Sequence, residues 1–109
     1  MFDLKWSQSE KRIARRVFEQ ALNRELTALI QEAKERINRV FTPEELWEVE
    51  HWLTERRKEI DMTYDYRYSV LPVVFAKLLH RRVVSNSDLD GLGPEKIDLI
   101  RRGFKIYEN

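Results

Sequence analysis

The chain has 109 residues and no cysteine, so it can form neither a disulfide framework nor a thiolate metal site. Charged residues make up 36% of it, but 20 lysines and arginines nearly balance 19 aspartates and glutamates, for a net charge of +1. This balance argues against a nucleic-acid or acidic-membrane binder. No signal peptide pattern opens the chain and no apolar run could span a bilayer, so a cytoplasmic protein without membrane insertion is expected.

The first predicted element is one long helix. Ser7 and Glu10 form a capping-box pattern, and apolar residues then recur three and four positions apart as far as Val40. No glycine or proline interrupts this stretch, which predicts a helix of about 33 residues and about 50 Å. A compact chain of this length has a radius of gyration of only about 13 Å, so the helix extends beyond its own domain. We therefore expect a homodimer in which a second copy covers the surplus apolar stripe.

The second predicted helix begins at TPEE, where Thr42 caps the helix and Pro43 takes its first position. It should run antiparallel to the first helix after a short corner. A helical projection places four apolar residues on one face: Leu46, Val49, Leu53 and Ile60. Trp47 lies well off that face, and exposed tryptophan is uncommon except at binding hot spots, so we expect it to contact a second copy or another partner.

The third predicted helix covers about residues 66–82, unless it begins near Ser69 and places Pro72 in its first turn. The stretch SNSDLDGLGPEK then predicts a turn, followed by a final helix over about residues 94–102. Together these elements predict one all-α domain, with a long antiparallel helical hairpin over about residues 7–63 and a small helical head over about residues 64–109. The expected assembly is an elongated homodimer.

The segment YDYRYS, residues 64–69, does not follow the helical period of its surroundings. Its alternation of aromatic and charged residues is typical of a half-buried strand. Because the flanking segments are helical, we interpret it instead as the junction between hairpin and head, with Tyr64 and Tyr68 sharing one face of a helix.

Candidate chemistry is sparse. The chain has no Gly-x-Ser-x-Gly motif and only His51 and His80 to act as bases, so an enzyme is not expected. Glu48 and His51 have the Glu-x-x-His spacing of di-iron helical bundles, but the projection turns His51 outward, so neither a metal site nor another cofactor is predicted. DLDGLGPEKIDLIRR resembles a helix-hairpin-helix that grips a DNA phosphate, but a Gly-Pro turn between two helices explains the same residues.

The run LWEVEHWLTERRKEIDMTYDYRYSVLPVVFAKLL resembles the cyanobacterial fluorescence recovery protein family, and WSQSE followed by FEQALNREL is similar to the family's N-terminal helix. The resemblance extends from about Trp6 to about Ile100. It implies an all-helical homodimer that carries no pigment and is not an enzyme. Such a protein binds the photoactivated orange carotenoid protein, chiefly through that partner's C-terminal domain. It speeds the partner's return to the inactive orange form and so ends quenching of the phycobilisome antenna.

The resemblance also implies site residues. Trp47 and Arg57 stand at the family's key tryptophan and arginine, on the dimer-forming and partner-binding surface. The whole expected surface comprises Trp47, Glu50, His51, Thr54, Arg57 and Asp61. The expected contacts of the head are Tyr64, Arg67, Phe75 and Lys96.

Two pairs of residues depart from the family's pattern. The family often shows His-Asp where this chain has Glu50-His51, and a bulky aromatic where it has Val73 beside Pro72. Both departures fall on the expected binding surface. The alternative interpretation is therefore a homologous dimeric helical scaffold with a different protein partner.

Overall fold

The computed structural model describes residues 4–108, and every regular element in that range is helical, which confirms the all-α prediction. The elements are α1 (Gln8–Asn38), α2 (Pro43–Thr63), α3 (Leu71–His80), a 3₁₀ turn (Asn86–Leu89) and α4 (Pro94–Glu108). The chain measures 53 × 26 × 20 Å with a radius of gyration of 16.7 Å, so it is elongated, as the length of α1 requires. Within residues 4–108, no helix combines the length and apolar character needed to cross a membrane.

Both long helices begin where the sequence predicts because their capping boxes form. Ser7 Oγ accepts the Glu10 N–H at 3.1 Å, and the Glu10 carboxylate accepts the Ser7 N–H at 3.0 Å. Thr42 and Glu45 repeat this exchange at 3.2 and 3.0 Å. Each box satisfies two backbone donors that have no partner within the helix. From its cap α1 continues for 31 residues, close to the predicted length.

The two long helices run antiparallel. Phe18, in the first half of α1, packs edge-on against Tyr64 just past the end of α2, with ring centroids 5.3 Å apart. Arg36, near the end of α1, lies over the ring of Trp52 at 4.1 Å. The contact between the helices is narrow, because α2 buries only Ile60 and Thr63. Much of the apolar face predicted for α2 therefore remains exposed.

The core lies where the first half of α1 meets α3, the 3₁₀ turn and α4. Its buried residues are Ala14, Val17, Phe18, Ala21, Leu71, Val74, Phe75, Ala76, Leu78, Val84, Leu89, Leu92 and Ile100. The helices α3 and α4 approach closely at Gly103, where an added Cβ would lie 2.8 Å from the Cβ of Ala76. A glycine is needed there because any side chain would force the two helices apart.

Two boundaries differ from expectation. The third helix begins at Leu71, close to the later of its two predicted starts, which places Pro72 in its tolerated first turn, and it ends at His80 rather than near residue 82. The last helix continues past residue 102 to Glu108, because Phe104 and Tyr107 pack against His80 of α3, with each pair of ring centroids 6.0 Å apart. Tertiary contacts thus extend α4 through Gly103.

The junction is not a helix, so the expected placement of Tyr64 and Tyr68 on one helical face is wrong. Residues 64–67 form no regular secondary structure and residues 68–70 form a turn. Asp65 and Arg67 pair with each other across one residue, with Arg67 Nε donating to Asp65 Oδ1 at 2.9 Å. The alternating pattern corresponds to alternating contacts, because the tyrosines pack on aromatic rings while Asp65 and Arg67 pair with each other, and no strand forms within residues 4–108.

The tyrosines of the junction form one row of aromatic rings. Tyr66 lies 4.9 Å from Phe18 and 5.6 Å from Tyr68 between ring centroids, and Tyr68 lies 5.4 Å from Trp6. Edge-on and tilted aromatic pairs contribute beyond the apolar area they bury. This row holds the junction against α1.

Candidate partner-binding surface

Six predicted site residues form one stripe on α2: Trp47, Glu50, His51, Thr54, Arg57 and Asp61. They recur three and four positions apart, so they share one side of the helix. We call them the α2 stripe. Five of them are exposed and Thr54 is half-buried. Trp47 leaves 63% of its area exposed, which marks it as the largest apolar group that the stripe offers to another molecule.

Polar contacts along the stripe are local and weak. Thr54 Oγ donates to Glu50 Oε2 at 2.8 Å, and Arg57 lies 3.9 Å from Asp61 one turn away. Both members of that ion pair are largely exposed, so water screens it and its net contribution is small. Within residues 4–108, His51 belongs to no group of three or more potential metal ligands. The charges of the stripe are therefore available to a partner.

Three predicted residues meet at a groove between α1 and α2. Arg57, Asp61 and Tyr64 border it, and its volume is about 440 Å³. The remaining lining is apolar: Phe18, Leu22, Leu26, Leu29 and Ile60. The structure thus places an arginine and an aspartate at the mouth of an apolar groove, an arrangement suited to a partner with both apolar and charged groups.

Large apolar side chains of the hairpin are exposed both in this groove and beyond it. Their exposure runs from 39% to 90% in Leu26, Ile30, Ile37, Phe41, Leu46, Trp47 and Leu53. On α1 these residues are spaced by multiples of the helical turn and form one stripe. Single exposed apolar residues are common, but a long row of them is typical of a surface that contacts another molecule.

Tyr64 joins the hairpin to the head through a polar network that the sequence did not reveal. Its hydroxyl donates to Glu25 at 2.7 Å, and Arg81 and Arg56 lie 3.7 and 3.9 Å from the same carboxylate. Arg81 also donates to Thr63 Oγ1 at 2.9 Å. Burial raises the pKa of Tyr64, and the hydrogen bond to Glu25 raises it further, so the phenol stays protonated as a donor. Tyr64 and Glu25 therefore connect α1 with the end of α2 and the end of α3.

Two of the expected head contacts, Phe75 and Lys96, are buried in the single chain. Phe75 has no exposed area and lies in the core. Lys96 is only 5% exposed, and its ammonium lies 3.2 Å from the carboxylate of Glu10. Neither side chain can touch a partner in this conformation, because other parts of the chain already cover it. Arg67 is exposed, with Asp65 as its only ion-pair partner within residues 4–108.

Glu10 ties the start of α1 to the start of α4. It accepts the Gly93 N–H at 2.7 Å and the Ser7 N–H at 3.0 Å, besides pairing with Lys96, which also donates to the Lys5 carbonyl. Burial raises the pKa of Glu10, but the hydrogen bonds from Ser7, Gly93 and Lys96 outweigh it and hold that pKa below its usual range. We call this contact the N-terminal clasp. The sequence indicated only its capping role.

The fold is that of a small all-helical protein whose α2 stripe exposes a tryptophan and charged side chains. A family model described as photoprotection regulator fluorescence recovery protein matches residues 6–102. The chain belongs to that family, which confirms the resemblance seen in the sequence. The protein is therefore a regulator of photoprotection, a role that is not catalytic.

Individual relatives agree. The fluorescence recovery protein of Synechocystis sp. is 34% identical over 96 residues, which are 88% of each chain. The solved structure of the Fremyella diplosiphon fluorescence recovery protein matches with a TM-score of 0.89 at 35% identity, over 93% of this chain and 99% of that one. The Synechocystis structure gives 0.89 at 33% identity with the same coverage.

Proposed function

We propose that this protein is a homodimeric regulator that binds the photoactivated orange carotenoid protein, through that partner's C-terminal domain, and accelerates its return to the inactive orange form. Ending antenna quenching is the consequence, and the cytoplasm is the place of action. The observation that carries the proposal is the match to the fluorescence recovery protein family over residues 6–102. The exposed α2 stripe supplies a surface on which such a partner could bind.

The proposed dimer rests on the exposed apolar row of the hairpin. Ile30 and Ile37 of α1 are at least half exposed in the single chain, and Phe41 at the corner is 90% exposed. Burying one such side chain fully contributes about 1.5 to 3 kcal/mol. A second copy packed along α1 and α2 would cover several of them at once, which is enough to stabilise a dimer of modest area.

The proposed mechanism assigns a separate task to each part of the stripe. Trp47 is the anchor, because a large exposed aromatic contributes most when a partner buries it. Arg57 and Asp61 set the orientation through their charges. A binder accelerates relaxation only if it holds the compact state, or the transition state that leads to it, more tightly than the photoactivated state. The stripe therefore has to fit a surface that forms as the partner closes.

The test is the decay of photoconverted orange carotenoid protein from red to orange, followed by absorbance with and without this protein. We expect the wild type to shorten the decay, and both Trp47→Ala and Arg57→Ala to reduce the effect. Arg102→Ala is the matched control, because Arg102 is also an exposed arginine paired with an aspartate one turn away on its helix. An unchanged decay at micromolar excess of wild type contradicts the proposed activity and leaves the fold intact.

A second candidate function is a dimeric scaffold for a different protein partner. It is favoured by the departures at Glu50-His51 and at Val73, which is exposed beside the buried Pro72. The double substitution Glu50→His with His51→Asp restores the family's pattern on the α2 stripe. If the wild type is inactive on the carotenoid protein and this variant is active, the stripe has changed its partner.

A further inference from the structure

The head carries a second groove, far in sequence from the α2 stripe and lined by no residue of α1 or α2. It lies between the end of α3 and the side of α4 and has a volume of about 500 Å³. Leu79, Val84 and Phe104 are buried or half-buried and form its apolar floor, while Arg82 and Arg101 are exposed beside it. We call it the α3–α4 groove.

The charge of this groove is uncompensated. Its lining contains two arginines and no acidic residue. Within residues 4–108, neither Arg82 nor Arg101 forms an ion pair, although eight other arginines do: Arg15, Arg24, Arg36, Arg56, Arg57, Arg67, Arg81 and Arg102. Asp90 borders a neighbouring depression that Arg101 also lines, without pairing with it. In a chain with nearly equal numbers of opposite charges, this groove is locally positive.

The backbone at Arg82 is the second observation. Arg82 has a φ of +63°, the left-handed conformation, immediately after α3. The Val83 N–H donates to the Leu78 carbonyl at 2.9 Å, which is the hydrogen bond of a Schellman motif at the end of a helix. Glycine usually takes the left-handed position of this motif, which Arg82 takes here. Any other residue is disfavoured there by its Cβ. Arg82 therefore places a long cationic side chain beside the groove at a position where glycine would relieve the backbone.

We propose that the α3–α4 groove binds a short acidic segment of a partner protein, in which an aspartate or glutamate lies beside an aliphatic or aromatic residue. The carboxylate pairs with Arg82 and Arg101, whose planar guanidinium groups match it in a bidentate manner. The apolar neighbour covers Leu79 and Phe104. A nucleic acid fits less well, because it needs a longer basic track than two arginines and gains little from an apolar floor. This interaction is separate from the one proposed for the α2 stripe.

The experiment selects binders from a phage library of random short peptides on the immobilised full-length protein, with counter-selection on the double variant Arg82→Gly with Arg101→Ala. Selected peptides should place Asp or Glu next to Leu, Ile, Phe or Tyr. Binding of labelled synthetic versions is then measured by fluorescence anisotropy. Each single variant should bind about tenfold more weakly or worse, as expected for the loss of one charge-assisted pair.

Two variants keep the result interpretable. Arg102→Ala removes the same charge from the next position of α4, outside the groove, and should bind the peptides like wild type. Arg82→Gly should raise the midpoint of thermal unfolding while it weakens binding, which separates lost recognition from lost folding. The proposal is overturned if no acidic and apolar peptides are enriched, or if the selected peptides bind Arg82→Gly and Arg101→Ala as tightly as they bind the wild type. It is also overturned if a single-stranded oligonucleotide binds the groove more tightly than they do.

Discussion

The head and the hairpin are both helical, but they are stabilised in different ways. In α3, six of ten residues are buried, whereas α2 buries two of its 21. The element shared by both regions is α1, whose buried residues all fall between Glu10 and Ala21. The first half of α1 thus belongs to the packed core, and its second half is an exposed arm. The comparison shows that this chain completes one core by itself and leaves much of the apolar surface of the hairpin exposed.

The largest expected effect is in the head core. Phe75→Ala should destabilise the protein by about 4 kcal/mol, because it removes a fully buried ring and leaves a cavity. Urea unfolding followed by circular dichroism measures this. Ile106→Ala, an exposed site on α4, should change stability by less than about 0.5 kcal/mol. Similar losses for the two variants would show that the head is not packed as described.

The second largest loss of stability is expected at the N-terminal clasp. Glu10→Ala leaves Lys96 buried without its carboxylate and the Gly93 N–H without its acceptor, and should cost about 2 to 3 kcal/mol. Glu45→Ala is the matched control, since Glu45 closes the same kind of capping box on α2 but has no tertiary partner within residues 4–108. A much smaller loss is expected there, and equal losses would contradict the clasp.

The clasp also predicts a dependence on pH. The pKa of Glu10 is lower in the folded protein than the value near 4.5 of a free glutamate. A depressed carboxyl pKa stabilises the folded state above the unfolded pKa, and this stability is lost as pH falls through the folded pKa. The difference in unfolding free energy between wild type and Glu10→Gln should therefore shrink between about pH 6 and about pH 3. A constant difference would mean that Glu10 acts without its charge.

The next effect is expected on dimer formation, from a substitution in the exposed second half of α1. Ile30→Glu places a charge in the apolar row of α1 and should weaken the proposed dimer about tenfold or more, since it opposes at least 1.4 kcal/mol of apolar burial. Sedimentation equilibrium measures the dissociation constant. Ile106→Glu adds the same charge on the exposed side of α4 and should leave association unchanged. If both variants associate like wild type, the hairpin is not the dimer surface.

The smallest expected effect is a gain in stability on substitution of Arg82. Arg82→Gly should stabilise the protein by about 1 kcal/mol, because glycine accepts the left-handed backbone after α3 without a steric cost. Arg82→Ala keeps a Cβ and should give no such gain. Thermal unfolding of the two variants side by side distinguishes relief of the backbone from the loss of a positive charge.

Local signals in the sequence were enough to predict where the two long helices begin. The starts of α1 and α2 are set by the capping residues Ser7 and Thr42, by Pro43 and by the apolar period. These signals could be recognised because they involve residues within one turn of each other. The extent of α4 was missed, since its last turn depends on Phe104 and Tyr107 packing against another helix.

Burial in the head could not be predicted in the same way. Phe75 and Lys96 were expected on the partner surface, but Lys96 is covered by Glu10, which is 86 positions away in the chain. The bond between Tyr64 and Glu25 spans 39 positions. The conformation of Arg82 was equally hidden, because a non-glycine residue gives no local sign that its φ is positive.

The alternation of side chains along the junction makes an odd change in its length different from an even one. Residues 64–68 turn alternate side chains toward and away from α1, so inserting one residue would exchange the two faces and direct Asp65 and Arg67 at Phe18. Inserting two residues would restore the faces and only displace the head by about 7 Å. Even changes in the length of this segment should therefore be better tolerated than odd ones, however small the odd change is.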